Sequence, residues 1–184
     1  MATTAVARVR SPAAWILLVL LTHHRCCAVA LNVTDLGHLR WTLTNESPHP
    51  TNVSVEARLP GTVHGALRDA GVLPQDPLVG FNEQAYRWVA LSNWTYTTIL
   101  DISPATLADA EHGGALELIL ESVDTFCQVE LNDRILATLD NSFVRHVVNL
   151  NTPGSSLRAG PNTLRLRFTS ALTVGVYKLN AVYP

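Results

Sequence analysis

Apolar and polar residues alternate along most of the chain, with the period of half-buried β-strands. Leu39, Trp41 and Leu43 alternate first, then Val53, Val55 and Ala57, ended by Leu59-Pro60-Gly61. Asn45 to Thr51, with two prolines, reads as the loop between them. Trp94 to Ile102 predicts a further strand, stopped by Ser103-Pro104, and Leu116 to Leu120 a strongly apolar, buried one. Cys127, Val129 and Leu131 face one way, while Gln128 and Glu130 face the other and read as solvated. Asn132-Asp133 predicts a tight turn, because Asn and Asp tolerate the left-handed conformation, and Arg134 to Leu139 returns as its hairpin partner. Arg145 to Leu150 is one more strand. After the loop Asn151 to Gly160, Thr163 to Thr169 points Leu164, Leu166 and Phe168 inward, and Arg165 and Arg167 outward.

One segment has a different period. Val63, Ala66, Leu67 and Ala70 recur at helical spacing and predict a short amphipathic helix, with Gly71 placed for a left-handed cap and His64 in its first turn as a capping or packing residue. Pro74 and Pro77 then force an extended path into a loop. Ala105 to Gly114 reads as a surface connection, and beyond Ser170 the alternation fades, so the chain reads as a fragment or a truncated isoform. Short strands, turn signals and one short helix predict an all-β fold, an antiparallel β-sandwich.

The 184 residues allow one domain, and 47% hydrophobic content suffices for its core. The first thirty residues are set apart from it. Arg8 and Arg10 form a basic start, Ala13 to Leu21 an apolar run, and Ala28-Val29-Ala30 a small-x-small cleavage site. The run is shorter than the ~20 residues that span a bilayer. Residues 1–30 are therefore expected to be a signal peptide and 31–184 the domain, with no membrane partner after cleavage. The mature chain then has ten basic and fifteen acidic residues, and Cys127 as its one cysteine, read as a small buried hydrophobe. A net charge near balance gives no reason to expect a nucleic-acid partner. Four Asn-x-Ser/Thr sequons, at Asn32, Asn45, Asn52 and Asn93, fit passage through a glycosylating compartment.

Catalytic chemistry is sparse. Retaining glycoside hydrolysis needs two carboxyls roughly 5 Å apart. Glu121 and Asp124 bracket a strand end, but hydrogen bonding to the backbone is the favoured role of such a pair. The histidines show no ligand spacing and no phosphate loop is present, so neither a metal nor a cofactor is expected. The richest cluster is Asn82, Glu83, Tyr86, Arg87 and Trp88. Sugars stack on aromatic faces and hydrogen-bond to planar polar groups, and these five residues supply both within seven positions. On composition alone, Tyr86 and Trp88 in the core and Arg87 on the surface is the favoured assignment.

The blocks LPGTVHGALRDAGVL, DPLVGFNEQAYRWVALSNWTY, LILESVDTFCQVELNDRILATLDNSFVR and NTLRLRFTSALTVGVYKLN change that balance. Together they closely resemble the amino-terminal domain of the lysosomal β-mannosidases, in the retaining glycoside hydrolase family that includes β-galactosidases and β-glucuronidases. The resemblance implies a jelly-roll sandwich like galactose-binding domains. It implies that Arg87 and Trp88, within YRWV, line the innermost sugar subsite, with Asn82, Tyr86 and Asp124 as further substrate-binding candidates. It also places the two catalytic glutamates in a downstream α/β barrel, leaving no catalytic residue in this chain and making that barrel its partner. A β-mannoside oligosaccharide is the implied ligand, and the lysosome, by way of the secretory pathway, the implied destination. A free-standing sugar-binding module and another glycosidase of the wider family are the alternatives.

Overall fold

The computed structural model describes residues 4–11, 30–46, 52–74 and 76–182. Strands β1 (Thr4–Ser11), β2 (Ala30–Asp35), β6 (Ala115–Ser122) and β9 (His146–Asn149) form one antiparallel sheet in the order β2-β1-β6-β9. The other joins β3 (Trp41–Asn45), β4 (Ser54–Ala57), β5 (Trp94–Ile102), β7 (Cys127–Leu131), β8 (Arg134–Leu139) and β10 (Gly160–Phe168). Its order is β4-β3-β5-β10-β7-β8. The predicted sandwich is present, and the expected strands recur within a few residues of their predicted bounds. The apolar run Ala13 to Leu21 and the loop 47–51 lie outside the described residues. Thr4–Ser11, by contrast, belongs to the segment expected to be removed, yet is a strand.

Alternation sets the core. Trp41, Leu43, Tyr96, Val129, Leu131, Leu164, Leu166 and Phe168 of the larger sheet are all buried. They meet Leu116, Leu118, Leu120 and Val148 of the smaller one. Tyr96 and Phe168 pack edge to face, their ring centroids 5.8 Å apart. Cys127 is free and 2% exposed, and burial pushes its thiol up to about 12.

The helix α1 (Val63–Asp69) buries Val63, Ala66 and Leu67. Its cap is Thr62, whose hydroxyl accepts from Gly65 N–H at 3.0 Å, so His64 does not cap it. Gly71 has φ +71° and closes the helix, with Gly71 N–H donating to Arg68 O and Val72 N–H to Leu67 O. Ala70, predicted on the apolar face, is exposed because the helix has already ended there.

The other helices depart from the single one predicted. α2 (Asn82–Ala85) and α3 (Arg87–Leu91) occupy the expected loop. α4 (Pro104–Glu111) replaces a connection, with Ser103 as cap and Pro104 in its first turn. α5 (Ala171–Val182) follows β10 where the alternation fades.

The two ends of the sandwich are built differently. At one, Asn132 and Asp133 turn the β7–β8 hairpin at φ +48° and +65°. The Asn132 side chain donates to Ser156 O and to Asn162 Oδ1, and accepts from Thr163 N–H at 2.8 Å. Asn162 is fully buried and donates to the carbonyls of Arg158 and Gly160. It also accepts from Arg158 N–H. A buried amide so fully partnered costs little, whereas an unpartnered one would cost about 1–3 kcal/mol.

On the outer face of the larger sheet Glu130 does point away from the core, but it is not solvated: its side chain is 7% exposed. Arg165 reaches it at 2.5 Å and Arg167 at 3.2 Å. Arg165 also bonds the exposed Asp133 at 2.5 Å, and Arg167 bonds Glu46 at 2.7 Å. Strand pairing explains this, because β10 sets Arg165 directly opposite Glu130.

Candidate functional site

The other end gathers the candidate residues. Trp94 starts β5 opposite Phe168, which lies opposite Cys127, so the 82–92 segment and the 122–126 loop share this end. The buried Trp94 anchors α3: its indole N–H donates to Val89 O at 2.9 Å. Trp88 packs beside it at 5.9 Å between centroids, tilted by 42°. Ser92 closes the turn, its hydroxyl donating to Trp88 O at 2.8 Å.

Helical geometry distributes the expected cluster over different surroundings. Tyr86 and Trp88 are half-buried against the core, which partly satisfies the core-packing alternative, while Arg87 and Glu83 are exposed. Asn82 donates its amide to Asp76 O at 2.8 Å and so ties down the preceding loop. The second carboxylate candidate stands apart in chemistry: Asp124 is half-buried and accepts a hydrogen bond from the Thr125 hydroxyl. Glu121 is ion-paired to Arg145 at 2.7 Å. Tyr86, Arg87 and Trp88 are therefore adjacent, Asn82 supports them from the same segment, and Asp124 sits at the same end on another loop.

Pattern reading passed over the apolar rim of this end. Leu78 is 91% exposed, Phe81 77% and Phe143 96%. The Leu-Val-Gly-Phe run inside a proline-bounded loop was the available signal. Lys178 of α5 lies 5.0 Å from the Phe126 ring centre, so the last helix reaches Phe126 of the 122–126 loop.

The arrangement offers a half-buried indole beside an exposed guanidinium, with a fixed amide nearby. Such a set can stack a pyranose face and hydrogen-bond its hydroxyls.

Comparison with known proteins identifies the family. Residues 41–181 match the glycosyl hydrolase 2 galactose-binding domain-like family. The chain is 33% identical to a β-mannosidase of Rattus norvegicus over 132 residues, which is 72% of this chain and 14% of the relative. It is 34% identical to β-mannosidase A of Aspergillus terreus over 140 residues, 76% of this chain and 14% of that one. The crystal structure of a β-D-mannosidase from Dictyoglomus thermophilum superposes with a TM-score of 0.62 at 27% identity, covering 73% of this chain and 15% of that one. The chain thus spans about a seventh of the length of these relatives and belongs to the glycosyl hydrolase 2 galactose-binding domain-like family, with β-mannosidases as its relatives.

Proposed function

We propose that this chain is the amino-terminal, sugar-facing part of a β-mannosidase, an exoglycosidase removing terminal non-reducing β-D-mannose from glycoprotein-derived oligosaccharides. The β-mannosidase relatives, 33% and 34% identical over 72% and 76% of this chain, support this reading. Trp88 supplies the platform for the sugar, Arg87 the hydroxyl-binding guanidinium, and Tyr86 and Asn82 hold the segment in place. Asp124 adds a carboxylate from the neighbouring loop. The catalytic carboxylates come from a barrel domain elsewhere in the full-length protein, so this chain alone is inactive.

The same proposal includes a signal peptide over residues 1–30, a domain over 31–184, and delivery to the lysosome with glycans at Asn32, Asn45, Asn52 and Asn93. Asn52 is exposed. Asn45 and Asn93 accept from Val53 N–H and Ser170 N–H through their side-chain carbonyl oxygens.

Two measurements test the proposal. Sequencing the transcript past the codon for Pro184 should reveal a barrel with two glutamates; its absence would favour a free-standing sugar-binding module. Residues 1–184 should show no turnover of an aryl β-mannoside at acidic pH, and clean hydrolysis would mean that Glu121 and Asp124 were wrongly dismissed.

A further inference from the structure

Two of the sequons sit in opposite surroundings. Asn93-Trp94-Thr95 runs into β5, an interior strand of the larger sheet. There Thr95 lies opposite Thr44 of β3 on one side and Arg167 of β10 on the other. Trp94 and Thr95 are each 3% exposed. The Thr95 hydroxyl donates to Glu46 Oε1 at 2.8 Å, and the Asn93 backbone carbonyl accepts from Glu46 N–H at 3.0 Å. The Asn93 side-chain carbonyl accepts from Ser170 N–H at 2.9 Å. Asn52-Val53-Ser54 leads instead into β4, the edge strand of the same sheet, and both Asn52 and Ser54 are exposed.

Transfer of an N-glycan uses both ends of such a tripeptide. The Asn Nδ2 attacks C1 of a lipid pyrophosphate-linked oligosaccharide. The N–C1 bond forms, the C1–O bond to the lipid pyrophosphate breaks, and one Nδ2 proton is released. The transferase reads the Ser or Thr hydroxyl two residues on, so the acceptor has to be free of its own structure, as surface loops are. At Asn93 that freedom ends late in synthesis. The β3 partner lies upstream, but Ser170, just beyond β10, comes 77 positions after Asn93. Until β10 is in place, β5 has one neighbour and Asn93 lacks its Ser170 bond. Afterwards, opening the segment means separating an interior strand, whereas the end of an edge strand frays at almost no cost.

We propose that Asn93 is a glycan acceptor only until β10 and Ser170 close over it, while Asn52 remains an acceptor after this domain has folded. The strand order of the larger sheet sets the sequence of the two modifications. In cells this order operates where the chain enters the glycosylating compartment, so its occurrence there rests on the reading given under the proposed function.

The test uses the folded chain of residues 1–184, a purified oligosaccharyltransferase and its lipid-linked oligosaccharide, with glycopeptides measured by mass spectrometry. Asn52 should be modified in the folded chain. Asn93 should be modified at least about a hundredfold more slowly there than in a synthetic peptide of residues 88–98, because it waits for the sheet to open. Equal rates at Asn93 in chain and peptide would overturn the proposal. A peptide that is itself refused would do the same, since the bar would then lie in the tripeptide and not in the fold. Refusal of Asn52 by the folded chain overturns the other half. Slow amide exchange in β5 is the expected sign of a closed sheet, and fast exchange there would remove the cause proposed. Glycopeptides from cell-made protein test luminal passage separately: no glycan at any sequon would defeat that passage and leave the purified assay to stand by itself.

Discussion

The side-chain carbonyl of Asn93 accepts the backbone N–H of Ser170 at 2.9 Å, fastening the start of β5 to the start of α5. Ser170 is 2% exposed; its hydroxyl donates to Ala90 O at 2.7 Å and accepts from Thr173 N–H at 3.2 Å. One serine thus caps α5 and pins it to α3. Ser170→Ala should destabilise the domain by about 1–2 kcal/mol in urea unfolding, as loss of a cap does, and should speed amide exchange within α5. Unchanged exchange there would mean the helix is held by other contacts.

The charged face and the apolar core should respond differently to truncation. Phe168→Ala removes a 3%-exposed ring and should cost about 3–5 kcal/mol. Arg165→Ala leaves the enclosed Glu130 with Arg167 as its remaining guanidinium, and should cost about 1–3 kcal/mol. Asp133→Asn, which removes the charge at the exposed end of the same network but keeps a residue that tolerates φ +65°, should cost roughly 0.5 kcal/mol or less. Equal losses at Arg165 and Asp133 would show that Glu130 is solvated after all.

Acid should probe Glu46. Burial pushes its carboxyl up, but hydrogen bonds from Arg167 and Thr95 and the charges of Arg167 and Arg165 outweigh that, leaving it below its ordinary value of 4.5. The folded state therefore binds this proton less readily than the unfolded chain. The contribution is full above about 4.5 and is lost as pH falls through the lower folded value. Glu46→Gln should flatten the acid limb of the stability profile; parallel limbs in the two proteins would exclude the ion pair as its source.

Within a full-length enzyme, Arg87→Ala is the cleaner probe of sugar contact. Arg87 is exposed, so its removal should change stability by about 0.5 kcal/mol at most while lowering kcat/KM. Trp88→Ala should lower kcat/KM roughly ten- to a hundred-fold, by analogy with other stacking platforms worth about 1–3 kcal/mol. Because Trp88 also packs beside Trp94, its Tm must be measured alongside. Full activity in both folded variants would return this pair to a purely structural role.

The strands were legible because burial on one face writes a two-residue period directly into the chain, as in Leu164, Leu166 and Phe168. The hairpin at Asn132-Asp133 was legible for a local reason, the backbone tolerance of those two residues. The helices were less so. α4 buries Ala110 alone, so it has no apolar stripe to read, although Ser103-Pro104 carried its start signal. α2 and α3 are a single turn or so each, too short for periodicity. Glu130 was misjudged because its cover comes from arginines of β10, 35 and 37 positions away, and alternation reports direction without reporting what lies above. At the site, the cluster from Asn82 to Trp88 was visible as chemistry. That Trp88 leans on Trp94 while Arg87 stays outside depends on the helical turn that carries them.

Asn162 gives the domain a mechanical asymmetry. Its amide locks the 158–163 turn and, through Asn132, the β7–β8 hairpin, with every bond made inside the protein. The opposite end is tied through Ser170, which joins α5 to α3, and finishes in exposed Leu78, Phe81 and Phe143. Substitutions of those three exposed side chains therefore leave the latch at the far end untouched, because none of its hydrogen bonds reaches them.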